Sequence, residues 1–386
     1  MFKAIRTGFN DMDKVLLLIM IVLSIFGLFN IVTASSREAV ITMDQSIYYF
    51  FYKHLASIIL GLCGFIFLLF IPTKRYHYFA EALLIVLVAL NLYVVLKGVD
   101  ARGAYGWIKL PYFNIQPSEI AKPIYIAALA VYIERNCKIF RKPKVNHWNK
   151  IIMLCIIGLT LPAIVFFQRA LGTSGVQLGI FGLMFLLSPI LHKEKLQTIG
   201  LVCGIALFAG LLLYAMTGNV LTKAQSSRLD YTKPCSRHSG TGYQICNAYV
   251  AINLGGLTGV GIGKSTQKYS YIPEPHTDMV FAILAEEYGY IVCVVLMIIY
   301  MIMLWRLLML SSRASTIRGK YMALGIATGL FLHIFFNLGG LFAIIPLTGV
   351  PLPFLSYGGS YNITLFIMMA MAQRIHIETK RYKLKF

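Results

Sequence analysis

Carboxylates and cations at or inside long apolar runs are where this 386-residue chain could do chemistry. A charge at the centre of a membrane helix costs roughly 2.5–3.5 kcal/mol on insertion scales, so each one asks for a partner or a function. The strongest run is Tyr271-Ile-Pro273-Glu274-Pro275-His276-Thr277-Asp278, which leads directly into an apolar segment. Its two prolines stiffen the approach. Asp278 falls where the apolar helix begins, and a helix N-terminus favours an acid. A carboxylate held there with reduced hydration also suits general-base catalysis. Both readings of Asp278 stay open on these residues alone. Glu286 and Glu287 lie two to three turns further on, and at least one must face the bundle interior.

A second cluster is Gln116-Pro117-Ser118-Glu119-Ile-Ala-Lys122. Pro117 suits a first helical turn. Glu119 and Lys122, three apart, share one helix face and can pair. They are either a buried pair that orients helices or a pair lining a polar cavity. The third cluster, Gly255-Gly-Leu-Thr258-Gly259-Val-Gly261-Ile-Gly263-Lys264-Ser265, imitates a nucleotide-binding loop. That motif needs glycine where Thr258 stands, so it fails. What remains is a glycine-rich backbone with Lys264 and Lys268 beside it, either an interfacial loop or one that approaches phosphate. His333 lies within an apolar run and reads as a packed polar residue. No Cys/His spacing makes a zinc site.

These residues need long helices to hold them. Only 13% of the chain is charged and 58% is apolar, with a mean hydropathy of +0.72. That excludes a disordered chain and an ordinary soluble enzyme. With no soluble basic domain, nucleic-acid binding is excluded too. A bilayer core of about 30 Å takes roughly 20 apolar residues per helix. Ten runs qualify, near 15–34, 55–71, 79–96, 117–133, 151–167, 174–191, 196–217, 279–305, 320–345 and 361–375. The expectation is one all-α polytopic domain over residues 1–386, with about ten spans and a retained first helix.

Ten spans place both termini on one side, and positive charge selects the cytoplasm. The net charge is +20, and 22 of the 35 Lys and Arg residues fall on the terminal side. Of the 12 outside, six lie in the one long loop, about 218–278. Long loops in compact folds are usually functional. Cys235 and Cys246 both fall in this outer loop, where oxidising conditions allow a disulfide; the alternative is two free thiols.

Three stretches together resemble the SEDS family (shape, elongation, division and sporulation; the RodA, FtsW and SpoVE type). They are Gly106-Trp107-Ile108 with Gln116-Pro-Ser-Glu119-Ile-Ala-Lys122; the run from Gly242-Tyr-Gln244 through Ala251–Gly263 and Gln267-Lys268 to Pro273-Glu-Pro-His-Thr277-Asp278; and Pro346-Leu-Thr-Gly349-Val-Pro-Leu-Pro353-Phe-Leu-Ser356-Tyr-Gly-Gly-Ser360. They span the chain from the third apolar run to its end.

The resemblance implies a SEDS-type fold and a peptidoglycan glycosyltransferase that polymerises lipid II at the outer membrane face. The growing glycan passes to the GlcNAc 4-hydroxyl of an acceptor lipid II. Undecaprenyl diphosphate leaves and the anomeric centre inverts. The family's essential acid matches Asp278, the expected base. The diphosphate calls for cations, with Arg228, Lys264 and Lys268 as candidates alongside a divalent ion such as Mg2+ or Mn2+. No organic cofactor and no protein-held metal are expected. Trp107, Glu119, Lys122, Glu274, His276 and Ser356 complete the expected substrate-binding set. The implied partner is a class B penicillin-binding protein, a transpeptidase. A lipid II flippase and a non-catalytic scaffold are the alternatives. One departure stands out: the family's Gln-Pro-Asp-Leu-Gly-Thr is Gln168-Arg169-Ala170-Leu171-Gly172-Thr173 here. An acid is gone, and Arg169 is a further cation for diphosphate or the replacement for a lost structural pair.

Overall fold

A computed structural model describes residues 9–101, 104–109, 114–142, 147–218, 231, 233–237, 240–269 and 272–383. In chain order the elements are α1 (Lys14–Arg37), α2 (Tyr49–Leu69), α3 (Tyr76–Lys97), strands β1 (Val99–Ala101), β2 (Ala104–Lys109) and β3 (Asn114–Ile115), then α4 (Pro117–Phe140), α5 (Trp148–Phe167), α6 (Leu171–Leu186), α7 (His192–Thr217), α8 (Gly240–Gly255), α9 (Val280–Arg313), α10 (Ile317–Leu341) and α11 (Gly359–Lys383). Ten helices stand where ten apolar runs were read. The protein is an all-α, multi-pass membrane protein. Among the described residues there is one further helix, α8, which lies inside the long loop. Its 16 residues are bounded by glycine and too short to register as a span. A small antiparallel meander, β1-β2-β3, was likewise not expected.

Among the described residues seven helices, α1, α2, α3, α5, α7, α9 and α10, are long and apolar enough to cross a membrane. Helix α6 is apolar but shorter. Helices α4 and α11 are the least apolar of the ten and also the most central. Helix α4 packs against α3, α5, α6, α10 and α11, while α11 packs against α2, α4, α9 and α10. Helices that touch protein rather than lipid can carry polar groups, provided each finds a partner. The peripheral helices instead turn apolar side chains outward, among them Phe29, Ile85, Phe208 and Trp305. An apolar groove of about 370 Å³ runs between α5 and α7, lined by Ile152, Ile156, Leu159, Leu201 and Ile205 among others.

Charges tie the bundle together at the end away from the strands. Asp13 caps α1 by accepting from the Val15 and Leu16 amides at 3.0 and 3.2 Å, and pairs with Arg306 of α9 at 2.8 Å. Arg318 of α10 pairs with Glu134 of α4. Glu378 of α11 accepts from the Thr73 amide before α3 and pairs with Arg374.

Helix α9 is broken at Gly289 (φ 80°, ψ 176°), a conformation closed to residues with a Cβ. The glycine-rich loop fills the break. The Val260 and Gly261 amides donate to the carbonyls of Glu286 and Glu287, and the Tyr290 and Ile291 amides donate to Gly256 and Leu257. A kink normally strands backbone groups; here a second chain segment satisfies them.

Candidate functional site

Glu286 and Glu287 close the first half of α9, both buried. Glu286 accepts from the Ser265 and Thr266 hydroxyls at 2.5 and 2.9 Å and from the Thr266 amide at 2.7 Å. Glu287 pairs with Lys268 at 2.9 Å, and the same ammonium donates to the Gly263 carbonyl at 2.8 Å. Lys268 is 2% exposed. It is part of the loop's anchor, where the expectation was a cation facing a diphosphate. The physical reason is that a buried ammonium must be matched by a carboxylate. Lys264, four residues earlier, is exposed. The loop is further pinned by a Cys235–Cys246 disulfide, which ties the short turn Pro234–Ser236 to α8.

Glu119 and Lys122 form the expected pair, with both carboxylate oxygens 2.7 Å from the ammonium. The pair is buried and part of a longer chain. Thr173 of α6 donates to Glu119 at 3.2 Å, and the Lys122 ammonium lies 2.7 Å from His333 Nε2. On the other side of that ring, Nδ1 lies 3.2 Å from the Pro351 carbonyl. An ammonium donates only and a carbonyl accepts only, so Nε2 is the acceptor and Nδ1 carries the proton. His333 is thus the packed polar residue anticipated. It carries the α4 pair through to the loop between α10 and α11.

That loop, residues 342–358, is one wall of the site. Ser356 is buried, and its hydroxyl accepts from the Leu352 amide at 2.8 Å. It shapes the loop through this bond. Gly172 at the start of α6 packs against Val350 and Thr348. Gln168, buried, donates to Asn91 on α3. Half-buried Arg169 lies between them with φ 62°, on the same side of the bundle.

Asp278 precedes α9 by two residues and is half-buried. Its Oδ1 lies 3.2 Å from the Thr277 hydroxyl oxygen. Its main-chain carbonyl accepts from the Asn337 side chain of α10 at 2.8 Å, and the same amide nitrogen donates to the Val350 carbonyl at 2.8 Å. A Cβ on Gly349 would stand 3.8 Å from Asp278 Oδ2, so the carboxylate faces the Gly349 turn. His276 is gripped between Phe50 of α2 and Tyr357, with ring centroids 4.3 and 5.3 Å away, and lies 3.7 Å from Glu38 at the end of α1. The Tyr357 amide donates to the His276 carbonyl at 2.8 Å. Glu274 is half-buried in a turn with φ 44°, and its carbonyl accepts from the Thr277 hydroxyl. Trp107 is half-buried on β2, opposite Val99 of β1. Arg228 lies outside the described residues.

Asp278, His276 and the Gly349 turn are therefore brought together. Glu119 and Lys122 support them from inside, while Lys268 and Ser356 serve the loops. Asn337 and Glu38 were missed. An asparagine in an apolar run, four residues after His333, was the available signal for the first; nothing in the sequence pairs Glu38 with His276. Among the described residues, no group of three or more His, Cys, Asp or Glu side chains could hold a metal ion.

Comparison with known proteins places this geometry. The cell cycle protein family model covering FtsW, RodA and SpoVE matches residues 13–381. Stage V sporulation protein E of Bacillus subtilis (strain 168) is 32% identical over 380 residues, spanning 96% of this chain and 97% of that protein. Peptidoglycan glycosyltransferase MrdB of Escherichia coli (strain K12) is 32% identical over 372 residues, spanning 96% and 94%. Among solved structures, a chain of a peptidoglycan synthase complex that coordinates polymerization and crosslinking superposes with a TM-score of 0.71 at 23% identity, covering 95% of this chain and 98% of that one. The rod shape determining protein RodA of Thermus thermophilus gives 0.66 at 22% identity, covering 95% and 96%.

Proposed function

The chain belongs to the FtsW, RodA and SpoVE family of cell cycle proteins, and on that premise we propose how it works as a peptidoglycan glycosyltransferase. It polymerises lipid II at the outer face of the cytoplasmic membrane, with both termini in the cytoplasm. The supporting observation is the setting of Asp278: a half-buried carboxylate at one end of a membrane bundle, its backbone clamped, facing a turn where glycine leaves room.

The acceptor is the GlcNAc 4-hydroxyl of lipid II. A sugar hydroxyl ionises far above pH 7, so attack needs a base. Asp278 takes that proton as the oxygen bonds to the anomeric carbon of the growing strand. The bond from that carbon to the diphosphate oxygen breaks on the opposite face, and the configuration inverts. Undecaprenyl diphosphate leaves as an anion and needs compensating charge, not a second acid. That separates this site from the paired carboxylates of glycosidases. Lys264, exposed on the loop, and Arg169, beside the Gly172–Val350 contact, supply the charge. A divalent ion such as Mg2+ would enter with the diphosphate as its counter-ion. Trp107, Glu274 and His276 border the sugar. The apolar groove between α5 and α7 suits a polyprenyl tail. The partner is a class B penicillin-binding protein that crosslinks the strands.

Purified protein with its partner, lipid II and Mg2+ yields glycan strands on a gel, and Asp278→Asn lowers the rate by about 10²–10⁴-fold. Polymer from the variant at the parent rate would remove the base assignment. Lipid II translocation in liposomes with no polymer under any condition would instead identify a flippase.

A further inference from the structure

We propose that Asn337 is the positioning residue of the glycosyl transfer, holding the Asp278 main chain and the Gly349 turn at a set separation. The proposal rests on Asp278 acting as the base. Asn337 is 2% exposed and lies on α10, one turn beyond His333. Its amide nitrogen donates to two carbonyl oxygens, of Asp278 and of Val350, each at 2.8 Å. Amide orientation is usually a matter of assignment. Here it is set by chemistry, since two acceptors can be met only by the NH2 end.

The two carbonyls belong to different loops. Asp278 ends the segment that follows the glycine-rich loop, and Val350 follows Gly349, the residue beside Asp278 Oδ2. One rigid side chain on a membrane helix therefore spans the reacting carboxylate and the wall facing it. One turn back on α10, His333 holds Pro351, the next residue of that wall, and is itself held by Lys122 and Glu119. The wall is thus fixed at two successive residues, and of these two α10 side chains it is Asn337 that also reaches the Asp278 main chain. Such a clip acts on the gap into which the acceptor hydroxyl must fit. A misplacement of about 1 Å there costs on the order of 10²-fold in rate. The apolar groove between α5 and α7 and the exposed Lys264 are not held by Asn337, so half-saturation should hardly change.

The test uses the full-length protein with its partner and lipid II. Asn337→Ala removes both hydrogen bonds. Asn337→Asp keeps the shape and removes the paired donors, and it decides the matter if the alanine variant does not yield monodisperse protein. Turnover per folded molecule is expected to fall about 10- to 10²-fold in either variant. KM should stay within about twofold, and the acid limb of the pH–rate profile should move because the base has shifted in its surroundings. Parent turnover per folded molecule with an unmoved acid limb would overturn the proposal and reduce Asn337 to a packing residue. Asp278→Asn is run in parallel. Parent activity there defeats the base reading itself, whereas an inactive Asp278→Asn beside a normal Asn337→Asp defeats the positioning role alone.

Discussion

Lys264 and Lys268 lie in one loop, four residues apart, and differ in everything that matters to a ligand. The first is exposed; the second is locked between Glu287 and the Gly263 carbonyl. Removing one member of a buried pair strands the other, at about 3–5 kcal/mol. Lys268→Ala is therefore expected to lower the melting temperature sharply and to lose activity only through lost fold. Lys264→Ala should melt like the parent and raise KM for lipid II, which steady-state kinetics on both variants will read.

Helix α9 and its loop act as one element. The break at Gly289 is filled by backbone from residues 256–261, and a Cβ at Gly289 would stand 2.4 Å from the Gly259 nitrogen. Gly289→Ala meets both this clash and a forbidden φ, and should release the loop. Faster hydrogen exchange at residues 256–269 is the expected readout, with residues 295–310 unchanged. The Cys235–Cys246 link works on the same element from the far side. A closure this short contributes roughly 3 kcal/mol by loop entropy. Cys235→Ser should make the loop cleavable by added protease and leave the helices protected.

At the scale of the molecule, polar groups concentrate where protein surrounds them. Helices α4 and α11 are the least apolar of the ten and the most central, whereas α7, apolar beyond its first turns, is mostly exposed. The ties at the end away from the strands join α1 to α9 and α4 to α10 through Asp13–Arg306 and Arg318–Glu134. That end also carries the expected cytoplasmic charge. Protease added to intact spheroplasts should spare tags on both termini and cut a tag placed in the 219–230 segment. Cleavage of the terminal tags from outside would reverse the proposed orientation.

The ten helices were legible because a bilayer sets the length of an apolar run, and length is a local property. Asp278 was legible as a carboxylate at a helix start, and the family resemblance named its role. Partnership was not legible, since it joins residues far apart in sequence. Nothing near Ser356 says that its hydroxyl closes its own loop, and nothing near Glu287 says that Lys268 will neutralise it. Helix α8 escaped notice because its 16 residues lack the length signal of a span. The sequence by itself determined where the long apolar helices lie, which charges are too costly to be idle and which acid precedes α9. Only the tertiary structure decided which of those charges are already paired and which two loops Asn337 holds together. The reason is energetic: a buried charge or amide is stable only against a specific partner, and that partner is chosen by packing.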